Sequence, residues 1–473
     1  MNQAFNPYLP SWEYVPDAEP HVFGDRIYIY GSHDIFNSND FCQGDYICWS
    51  CPVDDVKNWR YEGVIWRRKD DPKNWKNSPL YAPDVCQGPD GRYYLYYFYG
   101  YSGRIGVAVC DTPAGKYEFY GWVHYEDGTL YGKKKGDIFQ FDPGVYVEGD
   151  TCYLYTGFAP VSYPFFLTGG KPITKRGPVC ATLKRDMLTV VSTSYMGVEC
   201  KVSGKGTPYE GHEFFEAASM RKIGDKYYFI YSSFAGHELC YAVSDNPVSG
   251  FRYGGVLVSI GDVGLRGIKG VKDAANFTGN THGSIVRDEK GQYYVFYHRQ
   301  TNRHCFSRQA CAEPIVINED GSIDQVEVTS CGLNGSPLRG TGKYSAHIAC
   351  NLTCKKGGAF YSVFKCSGRP YFTQSGKDRE EGPDQYIADM TDGSKAGFKY
   401  FDFDDPKSVT ITVRGKADAE WLVTDEEGNL LATLPVNGSG DFTAPLSPVK
   451  GKHALFFEMK GKGKLDFISF ELR

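Results

Sequence analysis

The chain predicts an all-β protein in two parts: a five-bladed β-propeller over residues 1–325 and a β-sandwich of jelly-roll type over 344–473, joined by a linker at 326–343. Three observations predict it. A tight polar turn followed by a tyrosine-rich run occurs five times in the first 300 residues. The turn glycines Gly24, Gly91, Gly149, Gly224 and Gly291 stand about 58 to 75 residues apart, too far for a helical solenoid repeat and suited to a blade of four strands with long loops. Few stretches space apolar residues as a helix does, while aromatics make up 15% of the chain and glycine is abundant at 55.

The units follow in order. Gly24-Asp25-Arg26 leads into Ile27-Tyr28-Ile29-Tyr30, and Asp90-Gly91-Arg92 into Tyr93-Tyr94-Leu95-Tyr96-Tyr97. Glu148-Gly149-Asp150 leads into Tyr153-Leu154-Tyr155, Gly224-Asp225-Lys226 into Tyr227-Tyr228-Phe229-Ile230, and Lys290-Gly291-Gln292 into Tyr293-Tyr294-Val295-Phe296-Tyr297. Glycine beside Asp, Lys or Gln supplies the positive φ of a hairpin, and the aromatic run fits a pleated, mostly buried surface. Residues 312–323 read as a strand, a turn and a closing strand, and the turn-rich 331–337 as a bridge. Beyond Tyr344, residues 408–413, 454–459 and 465–470 read as strands of a second all-β unit.

Composition narrows the function. At 473 residues the chain exceeds one hydrophobic core. A net charge of −5 with no offsetting basic patch argues against a nucleic-acid partner. No apolar run reaches the roughly 18 residues of a membrane span, and the N-terminus shows no signal-peptide pattern. Fifteen cysteines at irregular spacing read as reduced core thiols, which favours the cytoplasm. Cys48-Trp49-Ser50-Cys51 lacks the second CxxC that a four-ligand zinc site needs.

Three acidic places sit where charge is awkward for a strand core: Asp17-Ala18-Glu19-Pro20, Phe141-Asp142-Pro143-Gly144 and Phe214-Phe215-Glu216-Ala217. Each precedes a tyrosine-rich strand, of units one, three and four, and a closed ring brings them together. A carboxylate ringed by aromatics has its ionised form disfavoured, which suits Glu216 to donate a proton. One kept among hydrogen-bond donors stays ionised and acts as a base, a role open to Asp17. Two such carboxylates flanking a sugar linkage are the minimum machinery of glycoside hydrolysis. Taken singly each is an ordinary turn or strand-end residue, and Asp142-Pro143 is a turn initiator.

These segments, in this order, resemble glycoside hydrolase family 43, five-bladed propellers that cleave arabinofuranosyl and xylosyl linkages with inversion. Residues 17–28 resemble the general-base segment, with Asp17 preferred and Glu19 kept as the alternative because it stands immediately before the proline. Tyr81-Ala82-Pro83-Asp84-Val85 resembles the second-blade signature, and Phe141-Asp142-Pro143-Gly144 the aspartate that orients the acid. Glu216 and the residues after it resemble the acid segment, with Ala217-Ala218 where Gly-Pro is common. Thr281-His282-Gly283 resembles the last-blade motif, whose histidine holds a water or a calcium near the axis; no cofactor is otherwise required.

The resemblance implies release of L-arabinofuranose and/or D-xylose from oligosaccharides by single displacement. A galactofuranosidase, an endo-arabinanase and a non-catalytic sugar binder are the alternatives. His33, Asp34, Asp84 and Arg308 are the expected sugar-hydroxyl contacts, and Trp12, Trp49 and Phe214 the expected stacking surfaces. Residues 369–374, 384–389, 397–403 and 451–457 are similar to family 6 carbohydrate-binding modules. Self-association as a homo-oligomer is compatible with the sequence.

Overall fold

The computed structural model describes residues 3–161, 175–360 and 366–473. Five antiparallel sheets are arranged in chain order. Blade 1 comprises Glu19–Phe23, Arg26–Tyr30, Tyr46–Pro52 and Arg60–Trp66. Blade 2 comprises Asp84–Gln87, Tyr93–Tyr97, Gly106–Cys110 and Glu118–Trp122. Blade 3 comprises Gly144–Glu148, Thr151–Thr156, Val179–Leu183 and Thr189–Tyr195, extended at its edge by His124–Tyr125, which pairs parallel to the fourth strand. Blade 4 comprises Phe214–Ile223, Lys226–Ser233, Glu238–Ser244 and Arg252–Ser259, and blade 5 the three strands Ile285–Arg287, Tyr293–Thr301 and His304–Ile315. Each of the five turn glycines joins the first two strands of its blade and has positive φ, from 59° at Gly149 and Gly224 to 88° at Gly291. The second strand of each blade is the aromatic one, buried between neighbouring sheets.

The ring is closed by the N-terminal segment. Asn6 exchanges hydrogen bonds with Ala312, donating from Nδ2 to its carbonyl (2.9 Å) and accepting its N–H at Oδ1 (3.0 Å), and Tyr8 N–H donates to Ala310 O. Tyr8, Leu9, Val15 and Ala18 pack with Val286, Phe296, Ala310 and Ala312, welding blade 1 to blade 5. Gly144 permits the inner strands of blades 3 and 4 to approach, since a Cβ there would lie 2.2 Å from Ala218 O, and Gly283 lets the chain entering blade 5 pass its second strand, where a Cβ would lie 1.8 Å from Phe296 O.

The second part is a single ten-stranded sheet that curls on itself rather than two separate sheets. Its long strands Ser408–Thr424 and Lys450–Leu472 pair over most of their length, with left-handed glycines Gly415, Gly461 and Gly463 where they bend. Phe398, Trp421, Phe457, Phe467 and Phe470 fill the interior. Residues 326–343, expected as a linker, run against both parts: Val326 bridges Val258, and Leu338–Arg339 pairs with Phe401–Asp402. Buried Lys399 of the second part reaches Asp262 and Glu327 at 2.9 Å each, and Arg379 reaches Glu13 at 3.2 Å. No helix among the described residues is long and apolar enough to cross a membrane. Cys48 and Cys51 lie on one strand but belong to different cores, so the CxxC does not present two thiols to one ion.

Candidate active site

A belt of polar side chains surrounds the propeller axis and ties the blades together. Glu19 of blade 1 accepts from Ser219 Oγ (2.9 Å) and Arg221 (2.8 Å) of blade 4, and pairs with His282 Nε2 (3.3 Å) at the entry to blade 5. Asp84 of blade 2 pairs with His21 of blade 1 (2.6 Å) and accepts from Val145 N–H of blade 3 (2.7 Å). Ser284 Oγ lies 2.7 Å from Ser219 Oγ, whose single proton is directed at Glu19, so the Ser284 hydroxyl is the donor between the two serines. Glu19 and Asp84 therefore hold inner strands together rather than face a ligand.

Beside this belt lies a cavity of about 220 Å³, lined by Asp17, Asp142, Glu216, Asn280, His282 and Arg308 and walled by aromatics including Phe41, Tyr81, Tyr101, Phe141, Phe158, Phe215 and Phe360. Backbone conformation aims the carboxylates there. Asp17 and Asp142, each just before an inner strand, have left-handed φ of 59° and 42°, and Ala217, after Glu216, has 68°. Such strain in non-glycine residues persists where surrounding structure enforces it, and it clusters at functional sites. Between Phe214 and Glu216 the register slips by one residue against Ser233 and Ser232, a β-bulge. The bulge leaves Phe214 in the blade core while Phe215 and Glu216 both reach the cavity. The Ala217-Ala218 pair accommodates this backbone without glycine.

The environments separate the carboxylates. Burial pushes Asp17 up, but Arg308 at 3.0 Å and the nearby His282 outweigh it and hold the carboxyl below its ordinary range. Arg308 is itself fixed by a fork onto Asp34, at 2.8 Å from Nε and 3.0 Å from its terminal nitrogen. His298 Nδ1 accepts the Asp17 N–H and its Nε2 donates to Asn280 O. Burial and Arg308 push His298 down to about 3, so the neutral imidazole these bonds require is the stable form.

Glu216 is raised well above its ordinary value by burial and by the negative charges of Asp142 and Asp17. Asp142, raised by burial, receives the Ala217 N–H beside the glutamate. The two form a coupled pair.

His282 bridges Glu19 and Asp142, at 3.3 and 3.8 Å. Burial pulls it down, but the Glu19 hydrogen bond and the charges of Asp17 and Asp142 push it to about 9. Glu19, His21 and Asp84 bring potential ligand atoms within 4.8 Å of one another. Calcium needs six to eight oxygens, whereas the Glu19 and Asp84 oxygens are taken by Arg221, Ser219, His282, His21 and Val145. These residues do not fit a directly bound calcium ion.

Of the sequence candidates, Asp17, Asp142, Glu216, His282 and Arg308 converge on the cavity. Others do not reach it. His33 and Trp49 are drawn to buried Glu13, at 3.2 and 3.1 Å. Trp12 stands over Arg379, with the guanidinium 5.6 Å from its ring. Phe214 packs on Phe229 and Tyr231. Asp34 acts through Arg308, and Asp84 and Glu19 belong to the axial belt. Asn280 is a polar lining residue absent from the sequence candidates, although it stands immediately before the Thr281-His282-Gly283 motif. Its Oδ1 is buried without a hydrogen-bond partner in the protein, leaving an acceptor for a ligand hydroxyl.

A propeller that gathers an ionised and a protonated carboxylate in one aromatic-walled cavity is built as a glycosidase. The chain belongs to glycosyl hydrolases family 43, whose family model matches residues 15–323. It is 52% identical to a xylosidase/arabinosidase of Thermoclostridium stercorarium over 99% of both chains. A family 43 β-xylosidase/α-arabinofuranosidase from a compost metagenome, solved with xylotriose, is 26% identical, covering 69% of this chain and 98% of that one with a TM-score of 0.50. An arabinoxylan arabinofuranohydrolase from Bacillus subtilis, 21% identical, shares the fold over 99% of this chain and 97% of its own with a TM-score of 0.52.

Proposed function

We propose that this glycosidase releases L-arabinofuranose and/or D-xylose from hemicellulose-derived oligosaccharides, with inversion. The observation that carries the reading is two carboxylates lining one cavity in opposed surroundings: Asp17 lies 3.0 Å from the Arg308 guanidinium, which favours its ionised form, whereas Glu216 shares the aromatic wall with the carboxylate of Asp142, which favours its protonated form. Asp17 is the general base, taking a proton from a water that attacks the anomeric carbon. The bond from that carbon to the leaving oxygen breaks, and Glu216 transfers its proton to the oxygen. Asp142 positions Glu216 and raises its proton affinity. Arg308 and His298 hold Asp17, and Asn280 accepts a sugar hydroxyl.

The specificity follows the relative from T. stercorarium, named for both sugars. The second part is read as a family 6-like carbohydrate-binding module on its motifs and its all-β build. A cytoplasmic setting accords with the cysteine-rich composition and with short substrates.

The test is hydrolysis of 4-nitrophenyl α-L-arabinofuranoside and β-D-xyloside, with proton NMR of the first-formed anomer on a natural oligosaccharide. Release of the inverted anomer is expected; a retained anomer, or no turnover of either glycoside or of xylo-oligosaccharides, overturns the reading.

The charge pattern also sets a pH dependence. The acid limb of kcat/KM reports protonation of Asp17 and lies below the ordinary carboxylate range; the basic limb reports proton loss from the Asp142–Glu216 pair and lies above it. In Asp142→Asn the negative charge that raises Glu216 is gone, so the basic limb moves to lower pH. A limb that stays in place or moves upward sinks the pairing.

A further inference from the structure

One wall of the cavity comes from the second part of the chain. Phe360 lines it together with Glu216, Asn280 and His282, although it lies 78 residues beyond His282 in sequence, past the end of the propeller. The segment that carries it is stitched to the propeller loop leading to Asn280 and His282. Leu352 N–H donates to Ala275 O (2.8 Å), Gly358 N–H to Lys272 O (2.8 Å), and Thr278 N–H to Ala359 O (3.1 Å), with a parallel bridge between Thr278 and Phe360. The contact demands glycine: a Cβ on Gly358 would lie 2.1 Å from Val271 O, and one on Gly357 2.7 Å from Lys272 O. On the propeller side, a Cβ on Gly236 would lie 3.3 Å from the Phe360 ring. Three backbone hydrogen bonds and two close-approach glycines make this a built junction.

Depth within the cavity assigns the ring its task. Asp17 and Asp142 are 4% and 5% exposed, whereas two of the described lining aromatics are open to solvent, Tyr101 of the propeller at 41% and Phe360 of the second part at 38%. A terminal sugar bound among the carboxylates has its leaving-group side directed outward, where the remainder of the oligosaccharide must lie. A pyranose presents an apolar C–H face, and an exposed aromatic ring covers such a face at low entropic cost.

We propose that the second part of the chain completes the substrate cavity and that Phe360 is the platform on which the leaving-group sugar stacks. The proposal rests on the glycosidase reading for the direction of the substrate, and it assigns a specificity role to a residue outside the catalytic propeller. The polypeptide after residue 343 then bears directly on the substrate even if its own outer surface binds no sugar.

The experiment is calorimetric binding of xylotriose and of xylose to Glu216→Gln protein, in which cleavage is suppressed, with and without Phe360→Ala. Loss of one aromatic face is expected to weaken xylotriose about three- to tenfold and to leave xylose unchanged. Phe360→Tyr, which keeps the ring, restores xylotriose binding. Gly358→Ala, which forces the segment off Val271, reproduces the loss with Phe360 intact. Unchanged xylotriose affinity in Phe360→Ala, equal weakening of both sugars, or no binding of either overturns the assignment. Turnover of xylotriose by the native chain is measured alongside. Phe360-dependent binding without turnover overturns the hydrolase reading and leaves the platform standing; turnover with Phe360-independent binding does the reverse.

Discussion

Replacing Glu216 by Gln is expected to lower hydrolysis of natural oligosaccharides about 10²- to 10⁴-fold, the worth of a positioned general acid. The loss on 4-nitrophenyl glycosides is expected to be far smaller. A sugar alkoxide is a poor leaving group and requires the proton, whereas nitrophenolate departs nearly unaided. Glu216 is suited to the role because the factors that raise it, burial and the charges of Asp142 and Asp17, are properties of the folded cavity. Gln preserves the shape and one hydrogen-bonding oxygen, so the protein should fold and retain sugar binding. The measurement is kcat/KM on both substrate classes. Equal losses on the two would remove Glu216 from the acid role.

Replacing Asp17 by Asn is expected to lower hydrolysis of both substrate classes about 10²- to 10⁴-fold, since activation of water is needed whatever the leaving group. The contrast with Glu19 is the informative part. Glu19 is 1% exposed and paired with Arg221, which is 14% exposed, so Glu19→Gln leaves a largely buried cation without its only carboxylate partner among the described residues. Breaking a buried pair in this way costs about 3–5 kcal/mol of stability. Glu19→Gln should therefore lower the midpoint of thermal unfolding and keep substantial specific activity in the folded fraction. Asp17→Asn should do the opposite. Activity and melting curves measured together on both variants separate the two residues, and a stable but inactive Glu19→Gln would return the base role to Glu19.

The fold was largely legible. Five glycine turns followed by aromatic runs identify the blades because a hairpin needs positive φ at a defined place, and local chemistry records that need. All five turn glycines have it. The acidic segments were legible for a related reason: a carboxylate beside proline or aromatics at the entry to a strand is conspicuous against a pattern of buried Tyr and Phe. Second-part strands were visible, but not that they form one continuous curled sheet, since strand pairing over long separations leaves no mark on periodicity.

Which side chain faces the cavity was decided by tertiary structure. Strand alternation treats Asp17 and Glu19 alike; the left-handed backbone at Asp17 sends one into the cavity, while Arg221, two hundred residues away, draws the other into the axial belt. Alternation likewise could not choose between Phe214 and Phe215, because a bulge resets which face each residue takes. His33, Trp49 and Asp34 are chemically suited to a sugar but are claimed by Glu13, in the segment just before blade 1, and by Arg308, which the closed ring brings to Asp34 from blade 5. Phe360 carries no local signal, since its place follows from backbone pairing with Thr278 across the junction between the two parts. The blades, the turns and the chemical types gathered at the axis are written in local sequence, because short-range sterics and burial act residue by residue. Direction, partner and charge state were left to the tertiary structure, because each depends on what the closed ring brings within a few ångströms.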